Sequence, residues 1–296
     1  MKRQKALCIL IILGVSQIDE FKTQTELIGH SGCKIYLMED ENQNRFIRKF
    51  SKNIIYNERL RLQYEKQKNF NDTTIHSPKV LCSGINNEGL FYFDMEYIRG
   101  ITLAEYMKKI EVSKISNIVN ILTSQIDTYN TKKENDNPNI FINKINNLSK
   151  KVDSPITHKC LDFLANYEWK HFPNTFCHGD LTLENIMICQ EKIYFIDFLD
   201  SFYDCFILDL ATLFQDVYYM WCYRFEKDLD TNTKIRLMVF RDLLLKKISF
   251  YDISLKDIYC ALLLKLIRIY PYTEDIGTFQ FLNTKIEYTM KLIETL

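Results

Sequence analysis

Near the middle of the chain a few polar side chains interrupt an apolar stretch. Phe176-Cys177-His178-Gly179-Asp180-Leu181-Thr182-Leu183-Glu184-Asn185-Ile186-Met187-Ile188 reads apolar, then polar, then apolar, and Asp180 and Asn185 stand five positions apart in the polar part. A little further on, Asp197 closes the apolar run Tyr194-Phe195-Ile196. A carboxylate there is costly to bury unless it is paired or faces a cation. Transfer of a phosphoryl group from ATP needs such a set: one carboxylate to orient the attacking hydroxyl and take its proton, and oxygen donors for the metal on the phosphates. Mg²⁺ prefers hard oxygen ligands and keeps several waters, so one Asp and one Asn carbonyl make a sensible protein share. Asp180, Asn185 and Asp197 match that list in kind and in order. Taken singly, each would be an ordinary turn or capping residue.

These groups need elements to hold them. Two short apolar stretches, Phe176-Cys177 and Ile186–Cys189, flank the polar loop, and Ile193–Ile196 follows the turn Gln190-Glu191-Lys192. All three read as strands. Upstream, Glu26–Ile28 leads into Gly29-His30-Ser31-Gly32, and Cys33–Met38 and Arg45–Phe50 read as the two strands of a hairpin about the polar turn Glu39–Asn44. Residues 54–69 read as a helix, with Ile55, Glu58, Leu62 and Glu65 on one face. Lys79–Cys82 and Leu90–Met95 read as two more strands. After Gly100 the pattern turns helical: 103–109, 115–129, 141–168, and nearly everything beyond Leu208. The expected fold is therefore α+β with two lobes: a small antiparallel β lobe over 1–98 and a larger helical lobe over 99–296. A cleft between two such lobes is a natural ligand site.

Composition narrows the partners. Hydrophobic residues make up 47% of the 296 and charged residues 26%, enough for a large core and unlike a disordered chain. Lys+Arg and Asp+Glu are each 38, without the basic excess of a nucleic-acid binder. The nine cysteines are scattered with no C-x-x-C pair, which fits reduced thiols and a cytoplasmic location rather than a zinc site. Lys2-Arg3-Gln4-Lys5 before the apolar run Ala6–Val15 imitates a signal peptide. The run is too short to span a bilayer as a helix, and a buried strand or helix start is the plainer reading. No membrane insertion is expected.

The pattern His178-Gly179-Asp180-x₄-Asn185 followed by Ile196-Asp197-Phe198 resembles the aminoglycoside phosphotransferase/choline kinase family, the small-molecule branch of the protein-kinase-like fold. It is the relative of the H-R-D-x₄-N and D-F-G elements of protein kinases. Gly179 stands where a protein kinase has the Arg that pairs with an activation-loop phosphate, and no A-P-E follows. The resemblance implies ATP and Mg²⁺ as cofactors, Asp180 as the catalytic base, Asn185 and Asp197 as metal ligands, and His178 as a buttress of the loop. It also implies that Asp209 caps the next helix or holds the catalytic loop.

Laid over the V-A-I-K strand of such kinases, Phe46-Ile47-Arg48-Lys49 puts Lys49 towards the phosphates and Arg48 on the other face. A slip in register would exchange the two. Glu58 or Glu65 would pair with Lys49, with Glu58 preferred. Gly29 and Gly32 would let backbone N–H groups approach a phosphate, although Gly29-His30-Ser31-Gly32 lacks the full G-x-G-x-x-G. Phe93–Gly100 matches the interlobe connection, with Met95 lining the adenine pocket and backbone groups near Glu96 and Ile98 bonding the adenine edge.

On the acceptor side, Asp200, Asp204, Trp221, Tyr223, Arg224, Arg268, Tyr270 and Tyr272 are candidates. Aromatic and acidic groups would suit an amine, and an arginine would suit a phosphate or carboxylate. The stretch Ile196–Phe202, with Gln215-Asp216 and Trp221, resembles bacterial phosphotransferases linked to surface polysaccharides. The expected activity is a small-molecule kinase acting on a sugar or amino alcohol. The alternatives are an antibiotic kinase of the aminoglycoside type or an inactive kinase-fold binding module.

Overall fold

The computed structural model describes residues 23–27, 32–124, 126, 137–251 and 253–296. In chain order its strands and α-helices are β1 (Thr23–Leu27), β2 (Lys34–Glu39), β3 (Arg45–Phe50), α1 (Asn57–Asn69), β4 (Ile75–His76), β5 (Val80–Ile85), β6 (Phe91–Glu96), β7 (Ile101–Thr102), α2 (Leu103–Met107), α3 (Val112–Leu122), α4 (Asn139–Ser149), α5 (Pro155–Ala165), β8 (Ile186–Cys189), β9 (Lys192–Phe195), α6 (Phe206–Tyr219), α7 (Thr231–Phe250), α8 (Leu255–Ile269) and α9 (Ile276–Glu294). The fold is α+β and protein-kinase-like, as expected. Its residues cluster into two units. One runs to Gly100 and takes in Cys189–Asp200, and the other holds Ile101–Ile188 and Ser201–Leu296. The 98/99 boundary expected from the sequence left 189–200 with the helical part. The structure joins that segment to the first unit because β9 pairs in parallel with β4, Ile75 opposite Ile193.

The first unit is built on an antiparallel sheet in the order β1-β2-β3-β6-β5. Its core is Cys33, Tyr56, Leu60, Phe91, Phe93 and Met95, with Ile47 and Tyr64 packed against it. In β3 the alternation sends Arg48 to one face and Lys49 to the other. Arg48 makes a two-pronged pair with Asp94 (2.7 and 2.8 Å), both side chains buried. That pairing fixes the register: Arg48 is structural, and Lys49 faces the core side where α1 lies.

The face of α1 differs from expectation. Ile55, just ahead of it, is 93% exposed and Leu62 is 51% exposed, whereas Leu60, Gln63 and Gln67 are buried. The helical period holds, but the face turned inward is the one that carries Leu60, Gln63 and Gln67. The inward face combines a leucine with two glutamines, and glutamine carries no hydrophobic signal. Gln67 earns its burial by donating to the Pro78 carbonyl at 2.8 Å.

In the second unit α8 is apolar on nearly every side, with Ile258–Leu264, Leu266 and Ile267 all buried. Such a helix belongs in the middle of a helical core, and α8 packs against α5, α6 and α9. Trp169 stacks on Phe141 at 4.4 Å and closes the core near α4. Phe176-Cys177, expected as a strand, is irregular chain. It is held instead by hydrogen bonds around it: the Thr175 N–H to the Asp204 carbonyl, and the Phe206 N–H to the Thr175 hydroxyl. Among the described residues no helix is long and apolar enough to cross a membrane.

Candidate active site

The polar loop of the second unit is organised from beneath by one carboxylate. Asp209, in the first turn of α6, accepts the backbone N–H groups of both His178 and Gly179. Gly179 has φ +92°, a conformation that favours glycine. His178 is buried, and its Nδ1 accepts the Asp180 N–H at 3.3 Å. Asn185 then closes the loop, its amide nitrogen donating to the Asp180 carbonyl (2.8 Å) and to the Asp180 carboxylate (3.2 Å). With the nitrogen committed, the amide carbonyl is the atom Asn185 has for a cation. A second carboxylate, Asp216, is fully buried and accepts the N–H groups of Leu183 (2.6 Å) and Cys222 (3.1 Å). Burial pushes its pKa up to about 7.

Asp180 itself is only part-buried, and Lys265 of α8 donates to it at 2.9 Å. Burial acts to raise its carboxyl pKa. The Lys265 ammonium, backed by His178 and Arg268, outweighs that and holds it below the usual carboxylate range. Asp180 therefore carries a charge and can accept a proton. Lys265 lies outside the motif residues. The signal was present: a single lysine inside Ala261-Leu262-Leu263-Leu264-Lys265-Leu266-Ile267, where a cation is rare unless paired.

In the first unit Lys49 is buried and its ammonium donates to Asp197 and, at 3.0 Å, to the Gln63 side-chain carbonyl. Burial alone would lower its pKa, but the Asp197 charge more than compensates and raises it. The helix partner of Lys49 is thus Gln63, and neither Glu58 nor Glu65 takes that place. Both glutamates are exposed, on the outer face of α1. Asp197 has φ +58°, a left-handed conformation that costs a non-glycine residue free energy.

Gly32 is also left-handed, at φ +73°. Gly29 lies outside the described residues. Met95 is buried in the core and accepts a weak hydrogen bond from Gln67. Glu96 gives its N–H to the Lys79 carbonyl, and the Ile98 carbonyl accepts the Gly100 N–H.

The acceptor candidates mostly have structural work. Asp200 pairs with Arg59 at 2.7 Å, and Asp204 accepts from Cys177. The Tyr223 hydroxyl donates to the Ala104 carbonyl, and Arg224 stacks on Trp221 at 4.0 Å. Tyr270 donates to Asn283, and Tyr272 is exposed. Arg268 lies over the Phe202 ring at 5.7 Å and lines a recess beside Gly179 together with Lys265.

Residues 141–235 match the phosphotransferase enzyme family named APH, a span that contains the whole Asp180–Asp197 constellation. Solved structures resemble the chain over nearly its full length. A thermostable mutant of aminoglycoside phosphotransferase APH(4)-Ia, in ternary complex with AMP-PNP and hygromycin B, is 12% identical with a TM-score of 0.63, covering 96% of this chain and 98% of its own. The fold is that of the aminoglycoside phosphotransferases. Amicoumacin kinase hAmiN, in complex with AMP-PNP, Ca²⁺ and Ami, is 16% identical with a TM-score of 0.57, covering 100% and 94%. A putative fructosamine-3-kinase from Haemophilus somnus is 13% identical with a TM-score of 0.51, covering 89% and 91%. No curated protein matches the sequence.

Proposed function

We propose that the chain is an ATP- and Mg²⁺-dependent kinase of a small hydroxyl-bearing molecule. The observation that carries this reading is the loop fastened to Asp209, in which Lys265 pairs with Asp180 and Asn185 is locked to it. The acceptor hydroxyl would donate its hydrogen bond to Asp180. As its oxygen attacks the γ-phosphorus, the proton passes to that carboxylate, and the bond to the β–γ bridging oxygen breaks to leave ADP. Lys49, held charged by Asp197 and oriented by Gln63, would meet the α- and β-phosphates. At the Phe93–Gly100 segment the Glu96 N–H and the Ile98 carbonyl are already used. An adenine edge would therefore bond the Glu96 carbonyl and the Ile98 N–H.

The donor chemistry fits magnesium: one amide carbonyl on Asn185 and one carboxylate on Asp197, both hard oxygen ligands. Among the described residues no cluster of three or more His, Cys, Asp or Glu side chains could hold a metal alone. The remaining ligands would then come from phosphate oxygens and water. When bound, the ion supplies neutralisation of charge on the β- and γ-phosphates.

Phosphate-ester formation followed by ³¹P NMR across sugars, amino alcohols and aminoglycosides, with and without Mg²⁺, tests the reading. Mg²⁺-dependent ester formation that Asp180→Asn abolishes is the expected result. Full activity in Asp180→Asn would remove the carboxylate from its assigned role. The binding-module alternative predicts nucleotide binding with no ester on any acceptor.

A further inference from the structure

Lys49 is buried in the sheet core, and a buried ammonium needs an anion beside it. In protein kinases the strand lysine has a helix glutamate for this, which leaves the D-F-G aspartate to the metal. Here the helix supplies an amide instead. Gln63 is 1% exposed, its Oε1 accepts from the Lys49 ammonium at 3.0 Å, and its Nε2 donates to the Tyr56 hydroxyl at 3.2 Å. The amide is held at both ends and carries no charge. Among the described residues, the carboxylate that bonds Lys49 is Asp197, through its Oδ1. The same face of α1 reaches the chain just after Asp197 twice more. Arg59 pairs with Asp200 at 2.7 Å, and the Lys66 ammonium donates to the Leu199 carbonyl at 3.0 Å. Positions 59, 63 and 66 follow the i, i+4, i+7 spacing of one helix face. That face therefore offers residues 197–200 two paired cations and an amide, and no acid.

Resting on the kinase reading above, we infer that Gln63 is a positioning residue that makes metal and nucleotide binding depend on each other. One carboxylate, Asp197, has two duties: it balances Lys49, and it is the oxygen ligand assigned to Mg²⁺. A divalent ion on that carboxylate sets its charge against the buried ammonium, and the neutral amide of Gln63 offers that ammonium no compensating charge. The oxygens of a polyphosphate supply the anion that Lys49 then requires. ATP by itself meets the converse difficulty. It draws on the Lys49 charge and leaves Asp197 as a like charge near the phosphates. Each ligand thus binds best with the other, and the coupling is the same whichever comes first. A glutamate in place of Gln63 would take over the ammonium and release Asp197 for a metal without nucleotide. The surroundings can accept that change, because the Tyr56 hydroxyl that now accepts from the amide can donate to a carboxylate.

The test measures binding to the full chain. Mn²⁺, which shares the oxygen preference of Mg²⁺ and is read directly by EPR, is titrated without nucleotide. ATP is titrated by calorimetry in EDTA and again with Mg²⁺. Gln63→Glu should bind Mn²⁺ about tenfold or more tighter than the unaltered chain, and ATP in EDTA about tenfold weaker. Lys49→Met should also bind Mn²⁺ about tenfold tighter, because the ammonium no longer competes for Asp197. Shifts of opposite sign for metal and nucleotide separate this role from a merely structural one, since lost packing weakens both. Thermal unfolding shows which variants fold, and either one suffices for the test. A folded Gln63→Glu or Lys49→Met chain that binds Mn²⁺ no more tightly than the unaltered chain overturns the inference. If the unaltered chain still binds MgATP, the kinase reading stands. No binding of MgATP to the unaltered chain overturns both.

Discussion

Each unit contains one lysine–aspartate pair made from a motif carboxylate, and the two pairs are built differently. In the first unit Lys49 is sunk in the sheet core, its side chain 3% exposed, and it has a second, neutral partner in Gln63. In the second, Lys265 reaches Asp180 from the wall of an open recess, with side chains 14% and 33% exposed. One pair is held from several sides, which suits the proposed ligand that is always the same, a nucleotide. The other borders the space where the variable ligand would sit. Burial and a second hydrogen bond make an ion pair a fixed support. Partial exposure makes it a group that an incoming substrate can engage.

Substitutions can break or sharpen that contrast. The largest loss is expected for Asp180→Asn, with kcat reduced about a thousandfold and nucleotide affinity nearly unchanged, read by steady-state kinetics and nucleotide titration. Equal loss of nucleotide binding would erase the division of labour. Lys49→Met should cost about a hundredfold in kcat/KM for ATP. It should also destabilise the first unit, because Asp197 and Gln63 lose their shared donor.

Lys265→Met should cost about tenfold in kcat/KM for the acceptor and should move the pH profile. Removing the ammonium takes away what holds the Asp180 pKa down, so the base needs a higher pH to ionise. The acid limb of kcat/KM then shifts upward. An unmoved limb would show that Lys265 serves packing alone.

The smallest effect on turnover is expected at Asp216, whose role concerns stability. Its pKa is raised from 3.8 to about 7 by burial, so the folded state holds a proton that the unfolded state has already released over that interval. The sign follows: stability from this group is present below pH 4 and declines as pH rises towards 7, by about 4 kcal/mol at most. Asp216→Asn should flatten that decline in urea unfolding measured across the range. An unchanged slope would point to another titrating group.

Much of this was legible in the sequence, and the failures have physical causes. Asp180, Asn185 and Asp197 stood out because polar residues broke apolar runs at fixed spacing. Strand β3 was read to its exact ends because a polar turn precedes it and alternation runs through it. Alternation already set Lys49 apart from Arg48, and the slip in register it left open is closed by Asp94 on the neighbouring strand, a partner far away in the chain. Gln63 was missed because an amide facing inward leaves no trace in hydrophobic periodicity. Lys265 leaves a different kind of trace, one cation in a leucine-rich helix, which aromatic and acidic patterning does not carry. The return of 189–200 to the first unit depends on β4, a strand too short for any periodic signal.

The left-handed backbone at Asp197 has a practical consequence for mutagenesis. Two demands meet at this position, one conformational and one electrostatic. Alanine fails both at once, since it lacks the carboxylate and tolerates the conformation poorly. Asparagine accepts that backbone readily, so Asp197→Asn removes the charge alone. Glycine relieves the backbone and removes the side chain. Comparing the three variants in one assay would separate how much of the residue's value lies in its shape and how much in its charge.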